Sequence, residues 1–147
     1  MKTIISLVLS SILGGGVLLA ADFSTKSDIE FINLAGNIPA SDVPDYQIEL
    51  KKRINTKMYE EAKTFKRAVK QSRCNTSSNL TPEQAQKRAV EVCKAFESKI
   101  ASMSGAQILE SGLKVKQKDC NEVGYKVAKK QAKNQSKFFK ECNDDLL

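Results

Sequence analysis

Apolar residues recur every three or four positions over three long stretches of this chain, and each stretch predicts an amphipathic helix. From Tyr46 they fall at Leu50, Ile54, Met58, Ala62, Phe65 and Val69, one stripe along a helix. Asn55-Thr56 is placed to bend or split it, because both side chains offer the backbone competing hydrogen bonds. The second stretch is the most regular: Ala85, Ala89, Val92, Phe96, Ile100 and Met103, with Cys93 on its border. In the third, from Asp119, residues Val123, Val127, Phe138 and Cys142 share a face, and Gln131 and Asn134 read as polar interruptions. Beside that face Gly124, Ala128 and Ala132 form a small-residue stripe suited to close helix contact.

Helix boundaries follow from the polar residues between these stripes. Ser27-Asp28-Ile29-Glu30 has capping-box spacing, the serine oxygen taking an orphan N–H and the glutamate returning to the cap residue. The short helix it starts is expected to end at Gly36-Asn37, residues that tolerate a left-handed turn. Ser41 or Asp42 is expected to cap the next start, with Pro44 in its first turn. Residues 75–79 read as a loop of Asn, Thr and Ser. Leu80-Thr81-Pro82-Glu83-Gln84 then combines a hydrophobic staple, a cap, a proline at the first helical position and a reciprocal glutamine. Ser104 and Gln107 repeat the device for a short helix closed by Gly112. Residues 113–118 alternate apolar residues with lysine, but one short run makes no sheet. The fold class expected is all-α: antiparallel helical hairpins or a small bundle.

Composition narrows this further. The chain has 147 residues, no Trp, six Phe and three Tyr, so its core is expected to be packed mainly through aliphatic side chains. The first twenty-one residues read as a secretory signal peptide: Lys2, an apolar centre over 4–13, three glycines, and Ala20-Ala21 before Asp22. An uncleaved anchor is the rival reading, which the three glycines and the abrupt polar turn disfavour. Cleavage near Ala20 or Ala21 would leave residues 22–147 as one periplasmic helical domain.

Four cysteines in an exported chain of this size predict two disulfides. Cys120 and Cys142 lie on one predicted helix, roughly 33 Å apart by the helical rise, against about 6 Å between bonded cysteines. They are not expected to pair. Cys74–Cys142 with Cys93–Cys120, or Cys74–Cys120 with Cys93–Cys142, remain. The first is favoured, because an up-down-up arrangement puts Cys74 and Cys142 at one end. It requires the chain after Ser104 to fold back along the second helix.

There is no histidine, which removes Ser-His and Cys-His pairs and the commonest transition-metal ligand. No C-x-x-C supports a zinc knuckle or a redox pair, and no cofactor is implied. The expectation is binding rather than catalysis. Charge is concentrated near the end: nine lysines stand between Lys114 and Lys140 against Asp119 and Glu122. Lys126, Lys129, Lys130, Lys133, Lys137 and Lys140 are the candidate contacts for an anionic membrane surface or an acidic partner, with a merely solvated lysine face as the plain alternative. Nucleic acid is disfavoured, since the region lacks arginine and has few aromatics.

Asp22-Phe23-Ser24, Lys26-Ser27-Asp28, Glu30, Leu34-Ala35-Gly36, Pro44-Asp45-Tyr46, Ile48-Glu49 and Lys52-Arg53 resemble the N-terminal pattern of a family of small exported epsilonproteobacterial proteins. That family is a domain of unknown function, and the likeness runs over about residues 22–112. It implies a periplasmic helical protein and no activity. Leu80-Thr81-x-x-Gln84 is similar to the LTxxQ signature of the Spy and CpxP periplasmic stress proteins, helical cradles that hold unfolded clients or restrain an envelope sensor. Met103-Ser104-x-x-Gln107 reads as a degenerate second copy. The same residues are also explained by helix-start chemistry. Two functions are therefore expected in competition: a chaperone-like or envelope-stress binding protein acting on an unknown protein client, and a surface-associated protein docking through its lysine-rich last helix.

Overall fold

Side chains start three of the helices. In the computed structural model, which describes residues 21–114 and 118–135, Ser27, Thr81 and Ser104 each accept the N–H of the residue three positions on. Glu30, Gln84 and Gln107 accept the cap N–H in return. Four of the eight orphan donors and acceptors at a helix's ends are N–H groups, and these boxes satisfy two at each start. The described chain contains six α-helices: α1 (Asp28–Leu34), α2 (Val43–Thr56), α3 (Tyr59–Ser77), α4 (Pro82–Ala101), α5 (Gly105–Ser111) and α6 (Cys120–Gln135). A single 3-10 turn, Ala40–Asp42, precedes α2, and no strand occurs among the described residues. The protein is all-α.

The long first stripe is split. Thr56 Oγ1 donates to the Arg53 carbonyl at 3.0 Å, α2 stops there, and Lys57 is extended (φ −94°, ψ 152°) before α3 begins. Three boundary expectations need correction. Asp42, one of the two candidates, takes the cap position of α2, but neither its side chain nor that of Ser41 makes a cap hydrogen bond; the Ser41 hydroxyl instead donates to the Asp42 carboxylate. Residues 75–77 are helical, because Gln71 and Ser78 hydrogen-bond to Asn75 and carry α3 through its polar end to Ser77. Gly36 is not left-handed. A Cβ there would stand 2.3 Å from Thr76 Oγ1 and 2.9 Å from the Ser72 carbonyl, so glycine is set by the close crossing of the α1 terminus on α3. Gly112, by contrast, has φ +63° and closes α5.

The main core lies among α1, α2, α3 and one side of α4. Phe31, Tyr46, Val43 and Val69 are almost wholly buried. The Phe31 and Tyr46 rings stack at 4.0 Å with an interplanar angle of 6°, Phe23 meets both edge-on, and Phe65 stacks on Phe31 at 6.0 Å. Aromatics, few as they are, thus form the centre that the composition suggested would be aliphatic. Arg53 closes it from one side, with its guanidinium 4.5 Å above the Phe31 ring. Its donors reach Glu49 and Asp28 at 2.8 Å each and the Phe23 and Lys26 carbonyls at 2.9 and 2.7 Å.

α4 is the wall between two environments. Its Val92 and Phe96 join the aromatic core, and Arg88 donates to the Ile38 carbonyl at 2.8 Å, tying the approach to the 3-10 turn onto it. Ala85 and Ala89 face the other way and pack with Val127 of α6 and Leu80. α6 runs antiparallel to α4: Cys120 at its start meets Cys93 halfway along α4, while Gln131 near its end reaches Leu80 at the start of α4. α5 and Gly112 provide the return, with Lys51 of α2 donating to the Gly112 carbonyl.

Candidate functional site: the two faces of α6

Among the described side chains of α6, those that are buried fall in one series. Cys120, Gly124, Val127, Gln131 and Asn134, at spacings of four, three, four and three, are buried against α4. Gln131 and Asn134 are therefore members of the seam rather than interruptions, and Val123 is only half-buried. Of the small-residue stripe, Gly124 is buried, Ala128 half-buried and Ala132 exposed. Gly124 is the point of closest approach, since a Cβ there would lie 2.5 Å from Val90 Cγ2 and 3.2 Å from the Gln86 carbonyl.

Two polar devices lock this seam. The Cys93 and Cys120 sulfurs are bonded, with Cα atoms 5.5 Å apart. Gln131 Nε2 donates to the Ser77 carbonyl at 3.1 Å and the Leu80 carbonyl at 2.8 Å. The first of these carbonyls, at the end of α3, also accepts the Leu80 N–H at 3.3 Å, so one buried side chain of α6 joins the backbone bond that closes the α3–α4 turn. An isolated amide among alanines would be costly to bury; two backbone acceptors make it a fastener instead.

The opposite face of α6 is exposed. Lys126, Lys129, Lys130 and Lys133 are exposed, along with Tyr125 at 63 % of its full exposure. Lys126 meets Glu122 one turn away at 2.5 Å, with both side chains well exposed. A row of ammonium groups supplies point charges and donors but no acceptor, which suits it to recognising anionic oxygens. Lys137, Lys140 and Cys142 lie outside the described residues. Cys74, on α3, is disulfide-bonded, and no cysteine among the described residues is free.

Other polar groups serve the scaffold. The Asp28 carboxyl is held below its ordinary range by its hydrogen bond from Lys57, with Arg53 adding to the effect. Burial raises the Tyr46 hydroxyl well above its ordinary value and lowers Arg88. Tyr46 donates to the Phe31 carbonyl at 2.9 Å. Cys93, Glu97 and Cys120 bring potential metal-ligand atoms within 4.8 Å of one another, but both sulfurs are joined and offer no thiolate. A cleft of about 620 Å³ between α2 and α4–α5 is lined by Ile48, Met103, Lys51, Lys52 and Lys99. Lys51 is engaged with Gly112, and Lys99 pairs with Asp45 at 2.5 Å, so two of its three cations hold helices together.

Sequence reading found the lysines and the caps but not Arg53 or Gln131. Arg53 sits three residues after the stripe residue Leu50, where a charge on a solvated face is the default. Gln131 lies four residues after Val127, and that heptad position was the one available signal.

Residues 22–113 match the family described as a protein of unknown function, DUF1104, and the chain belongs to that family. The match takes in α1 to α5 and ends before α6, so Cys120, Gln131 and the lysine face lie beyond it. No curated protein and no solved structure matches the chain.

Proposed function

We propose that this DUF1104 member is an exported periplasmic protein, like the epsilonproteobacterial proteins it resembles, and that it acts by docking on anionic lipid headgroups through the lysine face of α6. One observation carries the reading. α6 spends its whole buried face on α4 and is bonded there, while Lys126, Lys129, Lys130 and Lys133 stand together on the side facing solvent. No helix of the described residues is long and apolar enough to cross a membrane, and the apolar face of α6 is already occupied. Binding is therefore electrostatic, without insertion. At about 1 kcal/mol per lysine near an anionic surface, four lysines supply roughly 4 kcal/mol, a millimolar affinity in accessible lipid. Such contact is screened beyond a Debye length.

The test is co-sedimentation of the full chain with vesicles rich in phosphatidylglycerol. Binding is expected at low salt, loss at about 0.5 M salt, loss with purely phosphatidylcholine vesicles, and loss when Lys126, Lys129, Lys130 and Lys133 are together changed to Gln. Absence of binding at low salt ends this reading.

A second, chaperone-like reading is favoured by Ile29, Met58, Tyr59 and Leu109, large apolar side chains that are 73 to 84 % exposed. The similarity of Leu80–Gln84 to the Spy and CpxP signature supports it, although Thr81 and Gln84 also cap α4 and Leu80 packs in the α4–α6 seam. Suppression of aggregation of a reduced, unfolded client at stoichiometric ratio is its expected outcome; no suppression removes it.

A further inference from the structure

Three side chains from two helices converge where α6 meets the middle of α4. Cys93 and Glu97 stand four residues apart on α4, one turn apart on the same side, and Cys120 is the first residue of α6. Their sulfur and carboxylate atoms all lie within 4.8 Å of one another. The carboxylates flanking Cys120 are committed elsewhere: Asp119 accepts the Asn121 N–H at 2.9 Å, and Glu122 pairs with Lys126. Glu97 is exposed and has no hydrogen-bond or ion-pair partner among the described residues.

We propose that Cys93, Glu97 and Cys120 are a second fastening of α6: a site for a thiophilic divalent metal, zinc above all, that takes over when the Cys93–Cys120 bond is reduced. A dithiol reductant gives that bond two electrons and two protons, becomes a disulfide itself and leaves two protein thiols. Zinc then displaces one proton from each thiol and bonds both sulfurs and one Glu97 oxygen, with water completing the tetrahedron. Two sulfurs on one zinc stand about 3.8 Å apart, given Zn–S bonds of about 2.3 Å. Rotation about the Cα–Cβ bonds provides that separation, so the helices keep their 5.5 Å Cα spacing there. At the first turn of a helix a thiolate is also favoured by the unpaired N–H groups. Ligand type sets the selectivity. Two thiolates suit zinc, and a single carboxylate is too poor in oxygen to hold calcium or magnesium. Cys120 is buried in the seam and Glu97 stands at its exposed edge, so solvent reaches the fourth position. Because the cysteines are 27 residues apart, no ligand spacing in the sequence displays the site.

The test uses the full chain, reduced with a dithiol, freed of it under anaerobic conditions and probed with zinc ion. One equivalent is expected to slow alkylation of Cys93 and Cys120 together by several-fold, read peptide by peptide in mass spectrometry, while calcium ion leaves both rates unchanged. Reduction without metal should raise hydrogen exchange in α6, and zinc should restore its protection. Because reduction loosens the seam, the deciding variant keeps both cysteines and changes an exposed residue. Glu97→Gln should need about ten-fold more zinc or more, the least that loss of a direct ligand costs, whereas Glu110→Gln on α5 should behave as the wild type. Equal protection in Glu97→Gln and the wild type means that the thiols alone bind the metal, and it overturns the site. Slowed alkylation with α6 exchange unchanged overturns it too, since the metal then does not join the two helices.

Discussion

The two sides of α4 show two ways of holding a helix. On one, Phe31, Tyr46 and Phe65 supply large buried rings, and Arg53 joins α1 and α2 to the segment before them through four partners. On the other, Ala85, Ala89 and Val127 bury little apolar surface, and α6 stays in place through a disulfide, a glycine contact and one glutamine. The difference teaches what a small seam needs. Alanine and glycine let backbones approach closely but remove few methylene groups from water, so directional and covalent links must supply what burial does not. The boundary between the two also coincides with the end of the family match: α1 to α5 lie within it and α6 beyond it. The lysine face is thus carried by an element fastened onto the family's fold rather than built into its core.

The comparison breaks most visibly at Phe31. Phe31→Ala removes a fully buried ring at the centre of four contacts and should lower stability by about 3–5 kcal/mol, unfolding α1 to α4 together in a urea titration. Replacing Cys93 and Cys120 with Ser should act differently. Releasing a cross-link between residues 27 apart in sequence is expected to lower stability by about 3.5 kcal/mol on the chain-entropy account. Hydrogen exchange should show that loss first in α6, with the amides of α2 and α3 near Tyr46 and Phe65 still protected. If those amides lose protection in step with α6, the two regions are one cooperative unit and the contrast falls.

A smaller effect tests the close approach. Gly124→Ala gains about 1 kcal/mol of helix propensity but puts a methyl group against Val90 and the Gln86 carbonyl, an overpacking of about 1–3 kcal/mol. A net loss of about 1 kcal/mol is expected, read by chemical denaturation. Ala132→Gly on the exposed side should lose a similar amount from propensity alone, with α6 still docked.

What the sequence disclosed differs between the two regions for physical reasons. The stripe from Ala85 to Met103 and the caps at Ser27, Thr81 and Ser104 are local patterns, and periodicity and spacing display them directly. The split after Thr56 was foreshadowed by Asn55-Thr56 because the competing hydrogen bond is also local. Arg53 was not legible as a core-closing residue because, apart from Glu49 four residues back, its partners stand 25 to 30 residues away, and no local rule distinguishes it from the exposed Lys52 beside it. Gln131 was misread because a polar side chain on an apolar face counts as an interruption until two backbone carbonyls are known to meet it. Gly36 was assigned to a turn because its contact, Thr76, belongs to a helix forty residues on. In the candidate site, the lysines were legible as composition, but which side of α6 they occupy followed only from what the other side touches.

The smallest expected effect concerns pH, and it again separates the two regions. Asp22, Asp28 and Glu30 are the described carboxyls held below their ordinary range, and all three belong to the N-terminal side of the molecule. For Asp28 the cause is the hydrogen bond from Lys57, then that from Arg53. A carboxyl depressed in the folded state binds fewer protons there than in the unfolded chain. Its contribution is therefore complete above the ordinary carboxylate value of about 3.9 and is lost as pH falls through the depressed one. Because the Asp28 side chain is 43 % exposed, solvent screening should keep that contribution below about 1 kcal/mol. Asp28→Asn should accordingly lower stability slightly at neutral pH and flatten the decline of stability in acid. The loss on acidification should appear in the exchange of α1 and α2 before that of α6. An acid transition that opens α6 first, or one left unchanged by Asp28→Asn, would place the acid-sensitive charges on the other side of α4.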